Sequence, residues 1–279
     1  MSGTTTYESV VAEVFQLYID DIEGNPLPCR IHLFDQRDNP QTVEGYPSWH
    51  DHFVCPGRVT AQLTPGAYRY EVERGPEYER LAGELEIVAG EPSELKLTLR
   101  RIANLRERGW YSADLHVHRS LEEIELLMQA EDLDIAPVIT WWNRRNLWNG
   151  VTVPAQTTRQ FDGHRIYTVM AGEDEREGGA LLYFGRRRSL DIKTSHREFP
   201  SPMDFVEQAR GEDRQVWIDI EKPFWWDVPV WLASGQMNSI GVANNHMCRD
   251  QMLANEAWGR PRDKKRLLEP LGNGFWTQE

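Results

Sequence analysis

Three cysteines in 279 residues, Cys29, Cys55 and Cys248, are too few, too far apart and odd in number for a disulfide framework. The fold must therefore stand on packing, with reduced thiols expected. Whether Cys29 and Cys55 meet is left open by their spacing. Basic side chains are also scarce. With 31 Lys and Arg against 44 Asp and Glu, the formal net charge is -13, which excludes the broad basic surface that a nucleic acid or an anionic membrane demands. No apolar run nears the length of a membrane span. Met1-Ser2-Gly3-Thr4-Thr5-Thr6 offers neither the basic nor the apolar part of a secretory leader, so the chain as given reads as soluble and cytoplasmic. What is plentiful is core material. A hydrophobic content of 40% with 11 tryptophans marks a folded globular protein, and the length suffices for two domains.

Residues 14–99 alternate polar and apolar, most clearly at 15–20, 30–35, 58–63, 67–74 and 84–99. Turn signals at Gly24-Asn25-Pro26, Asn39-Pro40, Thr64-Pro65-Gly66 and Ala89-Gly90-Glu91-Pro92 separate the runs. This pattern predicts a small β-sandwich filling residues 1–104. It contains His50-Asp51-His52, between Pro47 and Cys55-Pro56-Gly57. No carboxylate or histidine at another strand end offers to complete a metal site there, so the pair reads as a loop at the sandwich rim.

Residues 100–108, basic and poor in apolar side chains, read as a connector to a second domain over 105–279. That domain opens on Gly109-Trp110-Tyr111-Ser112-Ala113-Asp114-Leu115-His116-Val117-His118-Arg119-Ser120. In an extended strand, Asp114, His116 and His118 would share one face while Ala113, Leu115 and Val117 pack on the other. Ser120 with Glu123 reads as a capping box opening a helix at Leu121 that runs to about Asp132. Strand-like runs at 135–140, 164–172, 179–184, 215–220 and 237–243 then alternate with helical ones at 202–210 and 228–234, as a parallel α/β architecture requires. Every one of these strands except 179–184 ends in polar, ligand-capable or aromatic residues: Trp141-Trp142-Asn143, Glu173-Asp174-Glu175, Glu221-Lys222 and Asn244-Asn245-His246. One site on one face of a barrel or open sheet would gather them.

Two stretches carry family resemblances. Gly24-Asn25-Pro26-Leu27-Pro28-Cys29-Arg30-Ile31, with Leu63-Thr64-Pro65-Gly66-Ala67-Tyr68-Arg69-Tyr70, resembles the carboxypeptidase regulatory-like domain, a transthyretin-like β-sandwich. Gly109 to Ser120, with residues 131–143 and 171–184, resembles the polymerase and histidinol phosphatase (PHP) superfamily, most closely its carbaryl hydrolase-like CehA/McbA-type metallohydrolases. The second resemblance implies a distorted (β/α)7 barrel with divalent metal at its strand ends, zinc foremost, with manganese or iron also compatible. It further implies a metal-dependent hydrolase.

Carried onto this sequence, the resemblance makes His116, His118, Glu173 and His246 the metal ligands. Asp114, Asn143 and Glu221 would support them, and Asp174 or Glu175 would be the base that activates water. Where the family has Thr-Asp-His-Asn, this chain has Thr140-Trp141-Trp142-Asn143, and an indole cannot ligate a metal. Where His-Pro is common, Glu221-Lys222-Pro223 stands. The loss of one ligand favours a one-metal site, hence amide, ester or carbamate bonds over phosphoesters. Trp141, Trp142, Trp148, Trp225 and Trp226 would wall the site for a small-molecule substrate. The second domain is short for a full barrel, and an incomplete barrel leaves open edges through which a homo-oligomer could pair. The competing expectation is a catalytically degenerate metal-binding or carbohydrate-binding protein using the tryptophan-rich cleft.

Overall fold

Strict alternation of apolar and polar side chains gives the first part of the chain strands that each bury one face. The computed structural model describes residues 12–176, 178–192, 196, 199–223 and 225–242. They form two units, the first from residues 12–114, Arg119–Ile135 and Phe161–Arg165, the second from Leu115–His118, Ala136–Gln160 and residues 166–242. Among the described residues no helix is long and apolar enough to cross a membrane.

The first unit contains β1 (Glu13–Asp20), β2 (Cys29–Asp35), β3 (Ser48–Trp49), β4 (His52–Cys55), β5 (Arg58–Leu63), β6 (Gly66–Glu73), β7 (Leu81–Ile87) and β8 (Ser93–Thr98). They build a three-stranded sheet, β5-β1-β8, and a five-stranded sheet, β3-β4-β2-β6-β7. Phe15, Leu17 and Ile19 of β1 meet Ile31 and Leu33 of β2, Phe53 of β4 and Val72 of β6 in one core between the sheets. Cys29 and Cys55 are register partners across β2 and β4. Both are buried free thiols with their sulfurs 3.8 Å apart, which answers the question their spacing left open.

Helix α1 (Ile124–Ala130) packs on β2 and β4. It does not start at Leu121 from a Ser120 cap. Glu123 stands at the N-cap position with no side-chain cap bond, because its carboxylate is held 3.1 Å away by Arg119. Just beyond the helix, Asp132 adopts a left-handed conformation, φ 54°. Its buried carboxylate receives Arg74 at 3.1 Å, Arg101 at 2.6 Å and Arg165 at 2.9 Å.

The second unit contains β9 (Ile135–Trp142), β10 (Arg145–Asn146), β11 (Thr158–Phe161), β12 (Arg165–Arg176), β13 (Gly179–Phe184), α2 (Pro202–Glu212), β14 (Trp217–Ile220), α3 (Val228–Ser234) and β15 (Ser239–Ile240). Its sheet runs β10-β9-β12-β13-β14-β15, with β11 pairing β12. This is not the expected (β/α)7 barrel. Both β12 with β13 and β13 with β14 are antiparallel. The cause is local: only residues 177 and 178 join β12 to β13, too few for the helical crossover that parallel neighbours need. Only three α-helices occur among the described residues.

Helices α2 and α3 pack on a single sheet face, where Phe205, Val206, Ala209, Val228 and Trp231 join Trp141, Met170, Leu181, Tyr183, Ile218 and Ile220. The opposite face carries the polar side chains of the site beside a small apolar cluster of Ile139, Ala171, Leu182, Trp142 and Phe184. The stretch around His116 is not a regular strand either. Ala113 bridges to Ile135 and Val117 to Val138, both parallel. The segment has one residue more than β9 between the bridges, and the excess is taken up in a bend at Leu115.

Candidate metal centre

Period-two alternation along β12 decides which acidic groups can act together. Ala171 packs with Ile139, Leu182, Trp142 and Phe184 on one face, whereas Met170 lies in the core on the other. Glu173 and Glu175 therefore share the polar face, and Asp174 does not. Asp174 is clamped by Arg176 through two bonds of 2.7 Å, and burial pushes its carboxyl up. The structure thus separates Asp174 from the site.

On the polar face three donor atoms converge. His118 Nε2 lies 2.9 Å and His116 Nε2 3.2 Å from Glu173 Oε2, and the two imidazole nitrogens are 3.1 Å apart. Behind His116, its Nδ1 meets Glu221 Oε1 at 2.9 Å. Glu173 is fully buried, His116 has 13% and His118 34% of its side chain exposed. Burial opposes charge on His116, but the Glu173 and Glu221 carboxylates outweigh it and raise its pKa to about 10. Burial would likewise raise Glu173, yet bonds from the two histidines bring it to about 2.

Glu175 sits beside this trio, ion-paired with the buried Lys222. Burial and the neighbouring Glu173 push its pKa up. Asn143 anchors the strand that carries both glutamates. It accepts a bond from Glu175 N at 2.9 Å and donates to Glu175 O at 2.7 Å, while its own N–H reaches Glu173 O at 3.2 Å. Its φ of 47° is one that asparagine tolerates better than most residues. Asn143→Ala should lower stability by about 2 kcal/mol through two lost bonds and a disfavoured backbone. An unchanged urea midpoint would remove Asn143 from this role.

The tryptophans divide between the two faces. Trp142 lies against His118 with its ring tilted by 57°, ring centres 4.7 Å apart. Trp141 points the other way and is 1% exposed in the core. Trp225 joins that core, Trp226 is half-buried, and Trp148 donates to Thr140 Oγ1 at 2.8 Å. Asp114 belongs to the first unit, lining a cleft of about 610 Å³ with Arg30, Arg74 and Glu131. His246 lies outside the described residues.

The trio fits a cation. Metal–nitrogen bonds of about 2.0–2.1 Å in a tetrahedron put neighbouring ligands roughly 3.3 Å apart, close to the three separations observed. Glu173 Oε1 and Glu221 Oε2, both buried, have no hydrogen-bond partner among the described residues. A shared positive charge would meet the need of such oxygens.

No family model matches the chain, and no curated protein matches it. Solved structures share about a third of it. The major pilin subunit of Bacillus cereus is 14% identical over 33% of this chain and 30% of that one, with a TM-score of 0.26. The minor pilin of Streptococcus agalactiae is 14% identical over 34% and 46%, with a TM-score of 0.28. The 3-chlorocatechol 1,2-dioxygenase of Rhodococcus opacus is 14% identical over 34% and 61%, with a TM-score of 0.25. The chain thus spans less than two thirds of each. Likenesses this small lend it no activity and no partner.

These findings overturn the family reading. With no matching family model and antiparallel strands where the barrel needs parallel ones, the PHP-type, carbaryl hydrolase-like assignment and its hydrolase function are withdrawn. The carboxypeptidase regulatory-like assignment goes with them, as does the alternative of a degenerate hydrolase binding metal or carbohydrate in a tryptophan-rich cleft, since Trp141 and Trp225 lie in the core and share no cleft with Trp142.

Proposed function

We propose that the second unit is a divalent-cation-binding module whose ligands are His116, His118 and Glu173. The observation that carries this reading is the convergence of two imidazole nitrogens and a carboxylate oxygen, all within 3.2 Å of one another. Glu221 would fix the ring of His116 from behind, keeping the proton on Nδ1 and the lone pair of Nε2 toward the cation. Two imidazoles and one carboxylate suit zinc, with iron(II) and manganese(II) as further candidates. Three protein ligands leave a coordination position for water or a small molecule, and Trp142 would form its apolar flank.

The test is cation stoichiometry measured by calorimetry and elemental analysis on the whole chain. His116→Ala, His118→Ala and Glu173→Gln should each lose one bound zinc relative to wild type. Glu221→Gln should keep it with affinity lower by about 10- to 100-fold. Equal zinc in wild type and all three ligand variants would overturn the proposal.

A further inference from the structure

The first unit contains a second constellation of the same donor types. In β2, Ile31 and Leu33 face the core between the sheets, so Arg30, His32 and Phe34 face the other way, toward the side on which α1 packs. The β2–β4 register runs Arg30 with Val54 and Ile31 with Phe53, and one more step sets His32 across from His52. On its other flank His32 is the register partner of Glu71 in β6. A row Glu71, His32, His52 thus crosses the sheet, and sequence reasoning missed it because His32 lies in the middle of a strand. The discoverable signal was alternation, which places His32 opposite its apolar neighbours.

We propose that His32, Asp51 and His52 form a second divalent-cation site, independent of the one built on His116. His32 Nδ1 lies 3.2 Å from Asp51 Oδ2, and His52 Nδ1 lies 3.0 Å from Asp51 Oδ1. The two imidazole rings are 5.2 Å apart. One ligand atom from each of the three residues falls within 4.8 Å of the others. The left-handed backbone of His50, φ 47°, turns the chain so that Asp51 and His52 both reach β2.

The surroundings match a bound cation. His32 is 2% exposed, and its second nitrogen, Nε2, faces Glu73 Oε2 at 3.9 Å. A ligating imidazole backed by a carboxylate is the usual way a metal-bound histidine is oriented. Arg30 holds Glu73 at 2.6 Å, and Arg80 lies 3.4 Å from Glu71. Both carboxylates thus already have a guanidinium partner, and Asp51 is the carboxylate assigned as ligand. Two imidazole nitrogens with one carboxylate would take a borderline cation such as zinc, cobalt(II) or nickel(II) in preference to calcium.

The test uses the full chain, titrated with zinc by calorimetry and with cobalt(II) by visible absorption. Wild type should bind two cations. His52→Ala and Asp51→Asn should each bind one, and His52→Ala combined with His116→Ala none. Asp51 is 40% exposed in its side chain, so Asp51→Asn is the variant that preserves the fold, and circular dichroism verifies it. If His52→Ala and Asp51→Asn retain wild-type stoichiometry, the three residues are a metal-free hydrogen-bonded cluster and the proposal falls. If they lose a cation while His116→Ala loses none, this site stands and the one in the second unit does not.

Discussion

Asp132→Asn is expected to cost about 3–5 kcal/mol of folding stability, the range for removing one partner of a buried ion pair. The carboxylate of Asp132 faces three guanidinium groups. Arg74 and Arg165 are only 6% and 3% exposed, so water cannot replace the lost anion. Arg101 and Arg165 have second carboxylates, Glu77 at 2.6 Å and Asp162 at 3.2 Å. Arg74 falls back on the carbonyls of Pro28 and Gln129. Asparagine keeps the shape and removes the charge, which isolates the electrostatic part.

The pH dependence has a definite sign. Burial raises the Asp132 carboxyl, but Arg74, Arg165 and Arg101 outweigh it and hold the pKa below its ordinary 3.8. A depressed carboxyl stabilises the fold above the pKa of the unfolded chain and ceases to do so as pH falls through the folded value. The gap between wild type and Asp132→Asn should therefore be constant at neutral pH and close on acidification below about pH 4. A gap under about 1 kcal/mol at pH 7, measured by urea denaturation, would show that the arginines are satisfied without Asp132.

Trp141→Ala should be as costly, about 3–5 kcal/mol, the usual range for emptying a large aromatic from a core. Its ring lies against Gly172, where an added Cβ would stand 1.8 Å from Cε2. Gly172→Ala should consequently destabilise the second unit through overpacking, by about 1–3 kcal/mol or more. Because both changes act on one space, the double variant should be more stable than the sum of the single losses implies. Strict additivity in thermal melts would mean that indole and glycine do not share that space in solution.

How far the sequence could be read follows from what each pattern encodes. Alternation exposed β1, β2, β5 and β6 of the first unit, joined β7 and β8 in one run and passed over β3 and β4, whose His52 it assigned to a loop, while the runs at 179–184 and 228–234 coincide with β13 and α3. Strand direction was not encoded in that way. The run 179–184 is followed by the basic Arg186-Arg187-Arg188 and not by metal-ligand types, and β13 runs opposite to β12 and β14, so its end lies away from theirs. Alternation also bears on the carboxylates, since Glu173 and Glu175 must share a face from which Asp174 is excluded, and a reading by proximity in sequence groups all three. The reach of Glu221 to His116 across 105 positions depends on strand order, which no local pattern carries.

The graded burial of the three donors in the second unit has a kinetic consequence. Glu173 is sealed, His116 is mostly covered, and His118 stands a third open to solvent on a segment tied to β9 through the Val117 to Val138 bridge. A cation arriving from solvent would meet His118 first and Glu173 last, and a departing one would leave the three donors in the reverse order. Weakening His118 alone should therefore slow capture as well as speed chelator-driven release.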